Sequence, residues 1–286
     1  MIVISHGWRH GHTAQPQRVD NITFYATDTT TETSLNALWP HIQDVLSTRR
    51  KTGKRRLTQP LCKHGSNTLF IKTAALESIP SRIRTTLGIR RRSGLYDWAL
   101  EELNNHTEAQ KRTHLVPKLL GYGLIRQRWL VEEIFLNYEH LADWEDGYEW
   151  LCRNPSQVHQ LTEAGIKLIL QLNQKGIHHL DLWVGNMMLR EDDLTNLKAI
   201  DLENCFIGDN PNPSETLGFQ LAFFYQHMLN GFISETRYDR LVEQQIAASM
   251  DIQRNRFDVF YSHFKHHGAD RKERHRIPKT GLWPQM

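Results

Sequence analysis

The chain has 286 residues, of which 39% are hydrophobic and 23% charged, with a formal net charge of +3 and a mean hydropathy of −0.56. This length suffices for one large domain or two modest lobes with a buried core. No apolar run approaches the roughly 18 residues of a membrane span, the N-terminal segment does not resemble a signal peptide, and Cys62, Cys152 and Cys205 lack the spacing of a zinc site or a disulfide framework. We therefore expect a globular, cytoplasmic protein.

The first part of the chain, to residue 136, combines strand-like and helical patterns. The strand-like segments are 21–27, 67–74 and 128–135, and the helical patterns are 33–48 and 96–112. The second part, from residue 137, is mainly helical. An apolar stripe predicts a helix over 155–176 that stops at Gly176, and further helices are expected at 215–232 and 236–250. The sequence predicts an α+β fold with an N-terminal unit over 1–136, a hinge at 136–144, and a helical unit over 137–286 that ends in a basic tail.

A lysine on a predicted strand is the first candidate for phosphate chemistry. Lys72 lies in the run NTLFIKTA, and a strand lysine of this kind binds nucleotide phosphates when a carboxylate on the following helix holds it. Helical phase favours Glu102 as that carboxylate, because Glu102 lies on the apolar face, and Glu108 is the alternative. Glu132, in the strand-like run RWLVEEIF, is a further candidate for nucleotide binding.

The segment HLDLWVGN, residues 179–186, and the later Asp201 carry a second set of polar residues. Met187–Leu189 and 197–200 are predicted to pair as a hairpin, which brings Asp181, Asn186 and Asp201 to one edge. An aspartate that accepts a hydroxyl proton, with an asparagine and a second aspartate as oxygen ligands for magnesium, is the set that phosphoryl transfer requires. His179 is expected to brace this loop, with direct chemistry as the alternative.

Basic residues cluster at 49–56, 82–92 and 270–279. The arginines that precede the helix of Glu102 are expected to bind an acidic saccharide or a lipid-linked acceptor; they are Arg82, Arg84, Arg90, Arg91 and Arg92. A solvated surface is the alternative. No nucleic acid partner is expected, because the sequence contains no helix-turn-helix, zinc-finger or RNP-type pattern. Peripheral contact with the inner face of the membrane stays open.

The residues Ile71-Lys72, a helix glutamate, HLDLWVGN and IDLEN, in this order, resemble the eukaryotic-like kinase fold. With VPKLLGYG at 116–123, the chain is similar to the bacterial lipopolysaccharide core kinases that act on Kdo and heptose, and to small-molecule phosphotransferases of the aminoglycoside type. The resemblance covers roughly residues 60–230.

This resemblance implies a two-lobed protein-kinase-like fold and transfer of the γ-phosphate of ATP, with Mg²⁺, to a hydroxyl of a sugar or lipopolysaccharide-core acceptor. It implies Asp181 as the catalytic aspartate and Asn186 and Asp201 as metal ligands. Lys72 is then the phosphate-binding lysine and Glu102 its partner.

The sequence also departs from the kinase pattern. No GxGxxG motif precedes Lys72, where Gly65 is the nearest glycine, and Asp201 is followed by Leu202-Glu203. The residues before 60 match nothing recognisable. A pseudokinase-like regulatory protein that binds nucleotide, or a kinase of another small molecule or of protein, is therefore the alternative function.

Overall fold

The computed structural model describes residues 16–27, 29–61, 69–190, 193–247 and 252–283, with the backbone alone for 29–38 and 61. The described residues fall into two units. The first unit contains residues up to Thr107 and Pro117–Ala142. The second contains Glu108–Val116 and the chain from Asp143. Cys62 and Gly65 lie outside the described residues.

A six-stranded antiparallel sheet forms the centre of the first unit, in the order β1-β2-β5-β6-β4-β3. Its strands are β1 (Gln17–Val19), β2 (Ile22–Ala26), β3 (Arg56–Leu61), β4 (Leu69–Ala75), β5 (Leu119–Gln127) and β6 (Leu130–Glu139). Its helices are α1 (Thr29–Thr52), α2 (Ile79–Leu87) and α3 (Trp98–Arg112), the last of which continues into the second unit.

Helices pack on both faces of this sheet because its strands carry apolar residues on both sides. On one face Ile42, Val45 and Leu46 of α1 form a core with apolar side chains of β2, β4 and β6. On the other face Trp98, Leu100 and Leu103 of α3 pack on the opposite side chains of the same strands. Because successive side chains of a strand point to opposite faces, the buried apolar residues of these strands divide between the two cores.

The predicted boundary at residue 136 falls inside β6. This strand continues to Glu139, because Asn137 pairs with Ile71 and Tyr138 with Phe70 across the neighbouring β4. The strand-like pattern stops at 135 and a hinge is expected from 136, whereas Asn137 and Tyr138 are both buried. The hinge segment 136–144 therefore begins as regular strand.

The second unit is mainly helical and contains two small antiparallel sheets, β10-β9-β7 and β11-β8. Its strands are β7 (Trp144–Asp146), β8 (Ile177–His179), β9 (Met187–Arg190), β10 (Asp193–Ala199) and β11 (Cys205–Ile207). Its helices are α4 (Gly147–Arg153), α5 (Val158–Gln174), α6 (Pro213–Gln226), α7 (Glu235–Ala247), α8 (Arg254–Phe264) and α9 (Arg271–Thr280).

Helix α5 leads directly into the candidate site. Its apolar stripe is buried as predicted, with Leu161, Ile166 and Leu172 in the core of the second unit. The chain leaves the helix through Gly176, which has φ 65°, a left-handed conformation that glycine adopts without steric cost. Strand β8 follows at once, so the end of α5 fixes where the next loop begins.

The segment predicted as a basic tail is helix α9. Asp270 caps its N-terminus in a capping box with Glu273, and Gly281 ends it at φ 64°. His275, Ile277 and Pro278 are buried, so one face of this basic helix packs into the second unit. The buried face was not predicted from the sequence, because most residues of this segment are charged.

The fold class is α+β, as predicted for a kinase-like chain, with a sheet-based first unit and a mainly helical second unit. Among the described residues, no helix combines the length and the hydropathy needed to cross a membrane.

Candidate active site

Lys72 and Glu102 form an ion pair within the first unit. Lys72 Nζ lies 2.8 Å from Glu102 Oε1, and the side chains are 14% and 3% exposed. The Tyr138 hydroxyl also donates to Glu102 Oε1 at 3.1 Å. Strand β4 presents Lys72 on the face that α3 covers, where Glu102 lies one turn from Trp98. The alternative carboxylate, Glu108, is paired with Lys111 at 2.7 Å.

Glu132 lies in a different environment. Its carboxylate accepts a hydrogen bond from Arg82 Nη1 at 2.6 Å, and its backbone carbonyl accepts one from Leu76 N at 2.7 Å. These contacts attach α2 and its preceding turn to β6. The geometry supports a structural role for Glu132, and the nucleotide site proposed below does not include it.

Two of the arginines expected to bind acceptor are instead paired with one buried carboxylate. Asp97 accepts two hydrogen bonds from Arg84 and two from Arg91, at 2.6–3.0 Å, and its side chain is 1% exposed. Burial alone would raise the pKa of Asp97, but the hydrogen bonds from Arg84 and Arg91 outweigh burial, and the pKa lies below its ordinary value. Asp97 thus holds α2 and the segment after it against the start of α3.

His179 braces the loop that carries Asp181. Its Nε2 lies 2.9 Å from the Ile200 carbonyl, which can only accept, so Nε2 carries the proton. Its Nδ1 then accepts a hydrogen bond from the backbone N–H of Asp181 at 3.2 Å. Burial lowers the pKa of His179, which outweighs the opposing hydrogen bond to Ile200. The neutral imidazole therefore connects the two strand ends that bear Asp181 and Asp201.

Hydrogen bonds fix Asp181 on three sides. Its backbone carbonyl accepts from Asn186 Nδ2 at 2.9 Å, and its Oδ2 accepts from Asn204 Nδ2 at 2.9 Å. Its Oδ1 forms an ion pair with Nη1 of Arg274 on α9. The carboxylate is a quarter exposed. A carboxylate held this firmly, with one edge open to solvent, is suited to orienting a hydroxyl group.

Strand pairing brings the predicted metal ligands together. Met187 pairs with Ala199 in the hairpin of β9 and β10, as predicted, and Ile200 N donates to the Asn186 carbonyl at 3.0 Å. Because Asn186 Nδ2 is used by Asp181, its side-chain oxygen is the atom available to a cation. Carboxylate oxygens of Asp201 and Glu203 lie within 4.8 Å of each other. Asp201 has φ 62°, a left-handed backbone that is uncommon outside glycine.

These residues fit a magnesium ion. An amide oxygen and carboxylate oxygens are the hard donors that Mg²⁺ prefers, and it completes its shell with water and phosphate. In this arrangement Asn186 and Asp201 would hold the ion, with Glu203 nearby.

A buried polar network supports the same loop from below. His178 Nδ1 contacts Asn173 Oδ1 at 2.9 Å, Asn173 Nδ2 donates to Gln220 Oε1 at 2.8 Å, and Gln220 Nε2 donates to the His179 carbonyl at 3.2 Å. Burial lowers the pKa of His178 to about 4. The network fixes β8 relative to α5 and α6.

Trp183 anchors the loop from the other end. Its ring contacts Tyr148 and His227, with centroids 6.0 Å and 5.0 Å away, and it packs against the core of the second unit. A Cβ atom on Gly185 would lie 2.4 Å from the indole ring, so only glycine fits beneath it. This geometry supports a role for Trp183 as a core anchor of the loop.

Asn204 and Arg274 both contact Asp181, and neither was predicted from the sequence as a site residue. Asn204 is the last residue of IDLEN and lies beside Asp181 because β8 pairs with β11, which places His179 opposite Cys205. Arg274 is 93 residues from Asp181 in the chain. A signal for Asn204 was present in its motif, whereas nothing in the basic cluster at 270–279 distinguished Arg274 from its neighbours.

The chain was compared with known proteins of three kinds: family models, curated sequences and solved structures. Neither protein-family models nor curated protein sequences match this chain. Among solved structures, the chain is similar to WaaP in complex with acyl carrier protein, at 18% sequence identity and a TM-score of 0.44, over 68% of this chain and 76% of that chain. A similarity of this size carries no function across.

Proposed function

We propose that this protein is an ATP-dependent phosphotransferase that requires magnesium and phosphorylates a hydroxyl group. The observation that carries the proposal is the arrangement around Asp181. A fixed carboxylate, an amide oxygen and a second aspartate come together from β8, β9 and β10 at the ends of paired strands. Structural stability does not require three such side chains at one edge, whereas phosphoryl transfer does.

In the proposed reaction each residue has a separate task. Lys72, held by Glu102, binds the nucleotide phosphates, and Asn186 and Asp201 hold the magnesium ion, which neutralises charge on the phosphates when bound. Asp181 orients the acceptor hydroxyl and receives its proton. Asn204 and the backbone contacts to His179 keep the Asp181 carboxylate in position.

The acceptor class we propose is a sugar hydroxyl, including saccharides of the lipopolysaccharide-core type. The resemblance of the kinase motifs supports this class. Three of the five arginines expected to bind an acidic acceptor, Arg82, Arg84 and Arg91, pair with carboxylates of the chain itself, so these three give that acceptor no support. A cytoplasmic location, where ATP is available, belongs to the same proposal.

A regulatory protein that binds nucleotide without transferring phosphate is the second candidate. The ion pair between Arg274 and Asp181 favours it, because this pair occupies an oxygen that an acceptor hydroxyl would use.

The test compares thermal unfolding with ATP alone and with ATP and magnesium. For an enzyme we expect magnesium-dependent stabilisation, because a ligand that binds only the folded state raises its stability. Asp201→Asn and Lys72→Met should reduce that stabilisation. No shift for the wild type under either condition contradicts nucleotide binding altogether.

Turnover with a panel of sugar acceptors then separates the two candidates. Asp181→Asn should lower phosphate transfer by roughly a hundredfold or more and leave the ATP-induced stabilisation unchanged. The exposed Asp209 provides a matched control, since Asp209→Asn removes the same charge elsewhere. Magnesium-dependent nucleotide binding without transfer to any acceptor, in wild type and variant alike, favours the regulatory protein.

A further inference from the structure

Arg274 is the basic side chain that contacts the predicted catalytic aspartate. Its Nη1 pairs with Asp181 Oδ1, its Nε donates to the Ala269 carbonyl at 3.0 Å, and its guanidinium carbon lies 4.5 Å from the centre of the Phe223 ring. The side chain is 18% exposed. A backbone carbonyl, a carboxylate and an aromatic ring therefore all orient this one guanidinium group.

The contacts of helix α9 position Arg274 beside Asp181. Arg271, one turn earlier, donates from Nη2 to the Glu203 carbonyl at 3.1 Å, in the turn next to Asp201. Arg271 and Arg274 thus face the candidate site, whereas Lys272, Arg276 and Lys279 on the same helix are exposed. The basic cluster therefore has an inner pair and an outer, solvated set.

The guanidinium group of Arg274 still has donors to offer. Arginine carries five N–H groups, and here Nε serves Ala269 and Nη1 serves Asp181. In the part of the chain that the structure describes, Nη2 has no hydrogen-bond partner. An arginine that is oriented by several contacts and retains open donors is a strong binding group for phosphate oxygens.

We propose that Arg274 binds the terminal phosphate of the nucleotide during transfer. A hydroxyl that Asp181 orients must lie about 3 Å from both the carboxylate and the phosphorus it attacks. A guanidinium already touching Asp181 is therefore within reach of the oxygens of that phosphoryl group. This inference rests on the proposed function, and it adds a residue that the kinase resemblance does not supply.

In the step itself, Arg274 moves from Asp181 Oδ1 to the phosphoryl oxygens. The acceptor oxygen forms a bond to the terminal phosphorus, and the bond from that phosphorus to the bridging oxygen breaks, with its electron pair leaving on ADP. The hydroxyl proton passes to the Asp181 carboxylate and from there to solvent. Arg274 stabilises the negative charge on the transferring group, as an arginine supplied within the same chain does in other phosphoryl-transfer enzymes.

Nucleotide binding measured by calorimetry tests this role. With magnesium present, the full-length protein is titrated with ADP and with an ATP analogue whose terminal phosphate cannot be cleaved. Arg274→Gln should weaken binding of the analogue roughly tenfold, the scale of one charge-assisted hydrogen bond, and leave ADP binding unchanged. Arg274→Lys should recover part of the loss, because it keeps the charge without the planar fork.

Arg276→Gln is the matched control, because it removes the same charge from the exposed face of the same helix. Thermal unfolding of each variant verifies folding, and Arg274→Lys decides the outcome if Arg274→Gln does not fold. If the ratio of analogue affinity to ADP affinity is the same in the wild type and the Arg274 variants, Arg274 does not bind the terminal phosphate and the inference is overturned. If the wild type binds neither nucleotide, the proposed function itself fails.

Discussion

At the residue scale, the arginines of the first unit show how a basic cluster can serve the protein's own structure. Arg84 and Arg91 converge on Asp97, and Arg82 on Glu132. A buried carboxylate needs such partners, because an unpaired charge away from water is costly. In the sequence these arginines looked available for an acidic ligand because the partner residues are separated by 6 to 50 positions.

We predict that Asp97→Asn lowers the free energy of unfolding by roughly 2–4 kcal/mol, because it leaves two arginines without their carboxylate. Since the folded pKa of Asp97 is lowered, its contribution is present above the ordinary pKa of about 3.9 and lost as pH falls through the lower folded value. Chemical denaturation at pH 7 and at pH 3 measures this. The exposed Arg92 supplies the control Arg92→Gln, and equal stability of wild type and Asp97→Asn at pH 7 would contradict the structural role.

At the element scale, helix α1 contains the helical pattern predicted over 33–48 and packs on the sheet. Ile42, Val45, Leu46 and Arg49 follow one another at helical spacing and face the sheet. The first three enter the core with β2, β4 and β6, and Arg49 Nη2 forms a buried ion pair with Glu133 at 2.8 Å. The helix thus covers a sheet face that would otherwise expose apolar side chains.

We predict that Ile42→Ala destabilises the first unit by roughly 2–4 kcal/mol, because Ile42 is fully buried and its removal leaves a cavity. Denaturant unfolding followed by fluorescence checks the size of the loss. Gln43→Ala, at the neighbouring exposed position, is the control and should change stability by less than about 0.5 kcal/mol. A loss for Ile42→Ala no larger than for the control would show that α1 does not pack on the sheet.

At the scale of the whole molecule, buried histidines should control the stability of the second unit in acid. Burial lowers the pKa of His178 to about 4 and that of His275 to about 3. An unfolded histidine titrates near pH 6.5, so between about 6.5 and 4 the unfolded chain binds protons that the folded chain excludes. The contribution of these neutral histidines to the free energy of unfolding is complete above about pH 6.5 and decreases as the pH falls.

We predict that His275→Leu reduces the slope of the free energy of unfolding against pH by about 1.4 kcal/mol per pH unit between pH 6 and 4, the amount expected for one proton. Urea unfolding across that range provides the measurement. His159→Gln, at an exposed position of α5, should keep the wild-type slope. If His275→Leu also keeps it, the buried histidine does not titrate as its surroundings require.

The sequence alone determined what depends on local pattern. Apolar periodicity predicted α3, α5, α6 and α7, and the motif spacing placed Lys72, Asp181, Asn186 and Asp201 on a strand, a loop and a hairpin. Helical phase selected Glu102 for Lys72, since a side chain at the wrong phase would face water. These features depend on residues a few positions apart, whose relation is fixed by the geometry of one helix or one hairpin.

Only the tertiary structure decided which distant charges meet. Arg274 reaches Asp181 because α9 packs its buried face into the second unit, and Asn204 reaches it because β11 pairs with β8. A sequence does not distinguish an arginine on a solvated face from one beside a carboxylate, because the side chains are identical. Only burial and orientation separate their roles. Packing of α9 places Arg274 at the site and leaves Lys272 and Arg276 exposed.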